Sequence, residues 1–406
     1  MRTSLWLATL SLFLAPLALA NNNNYAVGTC KPQLKSFATI QAAVSSVPPH
    51  STVSVCPGVY PEQVTISQSL DLQGIADSNS DQSVITIPLG GLPSILTSIF
   101  GEPVGAQVLV QASGTVNISN LTVDGTGGDT ACTTWLAGIL YASGSSGSVS
   151  RVRTSNQIDG GCGVGIWAEN GGPANTSVTI QSNSVHDVDN TGISLASSSP
   201  PTLSASTRDN FVSPNSSAIG IAAASINGDI TDNDLSNAIA GVFDLAPAVR
   251  VVANNISTNE FGLLLLAGGT VQANDITNSG IGVALVGPGG TVQANDITNS
   301  GIGVALGGPG ATVQSNHITL SMQAAIEFSC NPATVSHNTI NDALLGLGDV
   351  PLGFSGSNTF ANTGTISTGC VAAAAMLGPM QAAAPLAAPS SYMQWRTPAN
   401  PSGLRP

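Results

Sequence analysis

The chain has 406 residues, a formal charge of −13 and only 9 Lys and Arg, which argues against nucleic acid as a partner, since phosphate binding rests on cationic side chains. Charged residues make up 8% of the sequence, too few for long surface helices built on Lys and Glu. With 45 Gly, 24 Pro and 42% hydrophobic residues, the composition suits many short strands and tight turns, and it is not that of a disordered chain.

In chain order, residues 1–20 read as an export signal. Arg2 opens a positive region, an apolar run follows over 5–14, and Ala18-Leu19-Ala20 supplies a small-residue cleavage site. The run is short and broken by Pro16, so it makes a poor membrane span, and no later stretch is long enough for membrane insertion. Cleavage would remove one basic residue, Arg2, and move the formal charge from −13 to −14. The expected location is secreted, either extracellular or periplasmic. Such a surface would repel an acidic polysaccharide unless a divalent cation bridged the two. Six cysteines in an oxidising compartment predict three disulfides.

Residues 36–47 predict a short amphipathic helix, with Ser36 as N-cap and Phe37, Ile40, Val44 and Val47 on one face. Strand-like stretches follow at 52–55 and 64–66, around the turn Cys56-Pro57-Gly58. Further along, Asn120, Arg151 and Asn183 read as one column spaced by 31 and 32 residues, with additions around 125–136, 155–162, 169–176 and 197–207.

The decisive signal is repetition. Residues 270–285 read TVQANDITNSGIGVAL, and the same sixteen residues return at 291–306, an offset of 21. An Asn column runs through Asn183, Asn210, Asn233, Asn254, Asn274, Asn295, Asn316, Asn338 and Asn358, in steps of 20 to 27 residues. That period is too short for a pair of helices, and its alternating segments are strands between turns. The predicted fold is an all-β parallel β-helix solenoid over 67–370, capped by the short helix within 21–66. Val185, Val212, Leu235, Ile256, Ile276, Ile297, Ile318, Ile340 and Phe360 should stack inward, and the Asn column should sit at a turn, with left-handed backbone available to Asn. Glycines before Ile193, Ile221, Val242, Leu263, Val283 and Val304 are expected to mark a second turn. Residues 371–406, rich in Ala and Pro, are expected to be a flexible tail.

The run SFATIQAAVSSVPPHSTVSVCPGVYPEQVTI, residues 36–66, resembles the entry segment of pectin-lyase-like β-helix proteins. The resemblance implies a right-handed helix and a carbohydrate-centred function. It brings no catalytic set: the paired-Asp and Gln motifs of pectin methylesterases have no clear match, and the Asn-Thr-Asp, Asp-Asp and Gly-His-Gly motifs of polygalacturonases are missing. Glu62 therefore reads as a surface or cap residue.

Cys132 lies twelve residues beyond Asn120 and Cys162 eleven beyond Arg151, nearly the same phase of adjacent coils. A rung spacing of ~4.8 Å falls within the roughly 4.4–6.8 Å that a disulfide allows between Cα atoms. Cys132–Cys162 is thus predicted, with Cys30–Cys56 and Cys330–Cys370 as clips near the ends.

Candidate chemistry lies on the inserted coils of 120–210. Trp135, Tyr141, Trp167 and Arg208 are candidate sugar-binding residues. If Ile166 and Ala168 point inward, Trp167 and Glu169 project outward as a platform, or else Trp167 packs beneath an inserted loop. Asp187 and Asp189 form an acidic cluster with Glu169 as catalytic candidates, and Asp187 is expected to share a column with Asp124, as an acid–base pair. Glu169, Asp187 and Asp189 are also candidates to hold Ca2+, with Arg208, Arg151 or Arg153 serving a lyase. The plainer reading makes these aspartates turn residues. His186 stands without a nucleophile-elbow sequence to support a triad. Two functions follow: a carbohydrate-binding or polysaccharide-processing protein, lyase or hydrolase, or a non-catalytic surface rod. The oligomeric state is not legible.

Overall fold

The computed structural model describes residues 23–75, 82–128, 131–198, 200–257 and 260–370; the expected export signal and the 371–406 tail lie outside the described residues. Each coil gives one strand to each of three sheets, as in Thr270–Gln272, Asp275–Thr277 and Ile281–Leu285. The sheets hold 14, 13 and 14 strands, and successive coils pair in parallel. Among the described residues, the one antiparallel pair joins Leu96–Thr97 to the start of Pro103–Val110. The chain is a parallel β-helix.

Alternation explains the interior. In a strand every second side chain faces one side, and the nine expected aliphatic positions from Val185 to Phe360 stand in register, coil upon coil. All but Phe360 are fully buried in one continuous core.

The asparagine column is a hydrogen-bonded ladder from Asn183 to Asn358. Each Nδ2 donates to the next residue's Oδ1 at 2.9 Å. That same Oδ1 accepts the backbone N–H of the preceding Asn, as from Asn274 to Asn295 at 2.9 Å. The left-handed backbone sits one position earlier than expected, on Asp209 (φ 55), Asp232 (φ 55), Ala253 (φ 57), Ala273 (φ 54) and Ala294 (φ 54). An alanine there gains nothing from its own side chain; the ladder beside it holds the turn.

Register also corrects the first part of the column. Asn120 (φ 54) and Arg151 (φ 51) align with Ser182 (φ 56), so Asn183 is preceded by the buried Leu121 and Val152, and Val152 N–H donates to Asn183 Oδ1 at 2.9 Å. The glycine column lies within third-sheet strands and marks no turn. A Cβ on Gly282 would stand 2.7 Å from both Ile297 Cγ2 and the Gly303 carbonyl oxygen, so the strand fits against the aliphatic column only without a side chain.

At the N-terminal end, the helix runs Ile40–Ser46, shorter than expected, because Thr39 is the N-cap and accepts from Ala42 N–H at 3.1 Å. Ser36 belongs to the strand Lys35–Phe37. Ile40, Ala43 and Val44 are buried in the common core, so the helix closes the first coil. Glu62 completes the cap, its carboxylate accepting from Ile40 N–H at 3.0 Å and Gln41 N–H at 2.9 Å. The three disulfides are Cys30–Cys56, Cys132–Cys162 and Cys330–Cys370, with Cα separations of 5.7, 5.5 and 5.6 Å.

Candidate functional site

The inserted coils shape two faces. On the third sheet, Ile166 and Ala168 point inward and Trp167 outward, as alternation requires. Trp167 is nevertheless only 2% exposed, because residues 87–102 fold over it and pack Ile95, Leu96 and Phe100 against the same cluster. Trp135 leans on it with ring centroids 5.8 Å apart. Glu169 lies beneath the same loop, where its Oε2 accepts Ile99 N–H at 3.2 Å and burial pushes its carboxyl up to about 7. The Trp167–Glu169 pair is therefore covered, and it is no open sugar platform.

Tyr141 requires a plain correction. It pairs with Ala168 in an inward column and is fully buried, its hydroxyl within hydrogen-bonding distance of the Val116 carbonyl at 2.8 Å and the Ser148 carbonyl at 2.9 Å. Burial pushes its phenol far up. It fills the core, and no glycan reaches it.

Asp189 is also committed elsewhere. Its carboxylate accepts Asp159 N–H and Gly161 N–H, each at 2.8 Å, and Gly163 N–H at 2.7 Å. It holds the inserted turn 156–162 by its backbone, leaving no oxygen free for acid–base work. Arg208 sits at the end of a first-sheet strand, donating to Gln181 Oε1 with Asp209 Oδ2 3.9 Å away. Glu169, Asp187 and Asp189 thus do not converge, and among the described residues no group of three or more His, Cys, Asp or Glu could hold a metal ion. The expected Ca2+ donor set is not assembled.

What the register does assemble is on the outer face of the second sheet. Asp124 aligns with Ser155 and then with His186, not with Asp187, so the expected aspartate column gives way to a mixed one. Arg153 lies on the strand between them. Its Nε donates to His186 Nε2 at 2.8 Å, and His186 Nδ1 meets Asp187 Oδ2 at 2.6 Å. An arginine can only donate, so Nε2 is the accepting nitrogen and Nδ1 carries the proton that Asp187 receives. Asp187 is itself in left-handed backbone (φ 54), which turns its carboxylate back toward the preceding imidazole. Burial alone would push the Asp124 carboxyl up; hydrogen bonds from Thr126 and Asn156, with the Arg153 charge, outweigh it and hold it below its ordinary value. One coil beyond, Phe211 pairs with Ser184 and presents a ring that is 45% exposed.

Sequence reasoning named Arg153 and His186 but did not join them. The signal was present: 33 residues separate them, one coil of 31 plus two positions along the strand. Taking Asn120 and Arg151 one position out of phase hid it. Phe211 was missed because it stands on an outward position of a nearly minimal coil.

The arrangement defines a parallel β-helix whose inserted coils carry a polar outer-face array. Solved structures place it among right-handed parallel β-helices. It is similar to the A-module of mannuronan C-5 epimerase AlgE4 of Azotobacter vinelandii, at 15% identity and a TM-score of 0.57, over 81% of this chain and 92% of that one. The AlgE6 A-module of the same organism gives 18% identity and a TM-score of 0.53, over 81% and 94%. The DFA-IIIase of Arthrobacter chlorophenolicus A6 gives 13% and 0.52, over 79% and 95%. At these identities the likeness is one of fold. No protein-family model and no curated protein matches the sequence.

Proposed function

We propose that this protein processes a uronate-containing polysaccharide at the Arg153–His186–Asp187 array. The observation that carries the reading is the pair of contacts on one imidazole, Arg153 Nε to Nε2 and Asp187 Oδ2 to Nδ1. A uronate carboxylate is a better partner for a guanidinium than a neutral imidazole is, because it offers two oxygens and a full charge. When Arg153 turns to the substrate, His186 Nε2 is released as a base, with Asp187 already orienting it. The proton on the carbon next to the carboxylate then passes to Nε2. Its electron pair enters the carboxylate, whose charge Arg153 neutralises. Return of a proton from water to the other face gives an epimer, His186 giving its proton up to solvent; departure of the neighbouring oxygen substituent, which takes the proton held on His186, gives an unsaturated sugar. Phe211 offers a ring face to an adjoining sugar. Two of the structural neighbours are named as epimerases acting at C-5 of mannuronan, which supports chemistry at that carbon. Three disulfides support an exported location.

The test is incubation of the purified chain with polyuronates in deuterated water, reading deuterium at C-5 by NMR and unsaturated ends by absorbance. Exchange or unsaturation in the wild type, reduced by about 10²–10⁴-fold in His186→Ala, is the expected result. Reducing ends released from neutral polysaccharides instead would make it a hydrolase. Silence on both would leave the rod itself as the function.

A further inference from the structure

In a chain of formal charge −13, three of the nine Lys and Arg residues lie along one edge of the rod, where the first sheet turns into the second. Arg151 occupies the turn itself (φ 51), Arg153 opens the second-sheet strand Arg153–Ser155, and Arg208 ends the first-sheet strand Leu203–Arg208. Each reaches across one gap between coils. Arg151 Nε donates to Asn120 Oδ1 at 2.8 Å, Arg153 Nε to His186 Nε2 at 2.8 Å, and Arg208 to Gln181 Oε1. Ser150 pairs with Gln181 and Gln181 with Arg208, so these three gaps are successive. The guanidiniums therefore recur along the axis in the order Arg151, Arg153, Arg208, one per rung of ~4.8 Å.

We infer that this edge binds a run of consecutive uronates lying along the helix axis, with Arg151 and Arg208 holding the carboxylates on either side of the one taken by Arg153. The inference rests on Arg153 and His186 as the reacting pair, and adds that the substrate is a block of uronates. One rung is close to the rise of one sugar in an extended polysaccharide, so cations spaced by a rung match a carboxylate on every sugar. Arg151 and Arg208 are held by neutral amides and use few of the five donors a guanidinium carries, which leaves each able to take a carboxylate with its present partner in place. Asp209 Oδ2 lies 3.9 Å from Arg208, but both side chains are about half exposed, at 50% and 53%, so solvent screens that contact. Arg250, further along the first sheet, is instead met by the Asp229 carboxylate at 3.2 Å. Between Arg151 and Asp209 the turn position is Ser182, exposed and short, so the edge is open to a chain passing along it.

The experiment titrates the full chain carrying His186→Ala, which binds without turnover, with oligomannuronates and oligogalacturonates of two and six units by calorimetry. A hexauronate should bind at least about tenfold more tightly than its dimer. Arg151→Gln and Arg208→Gln should each lower hexauronate affinity about tenfold and change dimer affinity little. Arg250→Gln removes the same charge away from the edge and should change either by less than about twofold. In the chain with His186 intact, Arg151→Gln and Arg208→Gln should raise KM for C-5 exchange and leave kcat nearly unchanged, and Arg208→Lys should restore part of the loss. The inference is overturned if no hexauronate binds, if six units bind no better than two, or if the edge variants behave like Arg250→Gln. Length-dependent binding that needs Arg151 and Arg208, without any C-5 exchange in the wild type, would overturn the chemistry at His186 and uphold the edge. Exchange at full efficiency in both edge variants would overturn the edge alone.

Discussion

Asp244 stands in a column that should be hydrocarbon. It aligns with Ala223 below and Leu265 above, is fully buried, and gives one carboxylate oxygen to Ala246 N–H at 2.8 Å while the other has no partner. Burial pushes its carboxyl up to about 7, against about 3.9 for an aspartate in an unfolded chain. The folded state therefore holds this proton more tightly, so stability is full below about pH 4 and falls as the pH rises toward 7. Glu169, pushed up to about 7 by burial under its loop, adds a slope of the same sign. Thermal melts across this range should show the wild type losing on the order of 3 kcal/mol from the Asp244 contribution, with Asp244→Asn visibly flatter. A melting temperature independent of pH in both proteins would contradict the assignment. Nothing in the sequence marks Asp244 as buried, because Gly-Val-Phe-Asp reads equally well as a strand ending in a turn.

The strands were legible wherever a coil is near its minimal length, since there the Asn and aliphatic positions recur without interruption. The difficulty lay in the elements added between coils. Residues 87–102 were not recognised as an insertion, and they are what buries Trp167 and Glu169. Alternation correctly sends both side chains outward; a loop some 70 positions earlier decides that outward does not mean exposed. Tyr141 failed for the converse reason: the neighbouring strand's parity was known, but the pairing of Tyr141 with Ala168 was not. The Cys132–Cys162 bond clamps two of these insertions across 30 residues. Replacing both cysteines by serine should cost about 3–4 kcal/mol by loop-closure entropy. Chemical denaturation would measure it. An unchanged midpoint would mean the loops are held by their packing alone.

At the scale of the whole molecule, the fold follows from the period, because each coil touches only the coils beside it. Thr291 N–H donates to the Gly269 carbonyl at 2.9 Å, so the junction that would follow removal of residues 270–290 already brings those two residues together. That 21-residue deletion should fold into a shorter helix with the same circular dichroism and a slightly lower melting temperature. Uronate exchange at Arg153 and His186 should be unaffected, since several coils intervene. Loss of folding would show that the coils cooperate beyond nearest neighbours. The function was far less legible than the fold, for a physical reason: the core repeats every coil, whereas a site is made once, from residues whose adjacency depends on each intervening insertion.

The asparagine ladder has a further consequence. Every amide in it points the same way, donor toward the next coil and acceptor toward the last, so a newly copied coil is received at its front edge by the bonds it offers at its back. Copying errors in the gene that add or drop one unit would lengthen or shorten the protein in increments of ~4.8 Å without redesigning any contact. The two identical segments at 270–285 and 291–306 are what such an event leaves behind. Reach, for this molecule, is a trait that selection can adjust by counting.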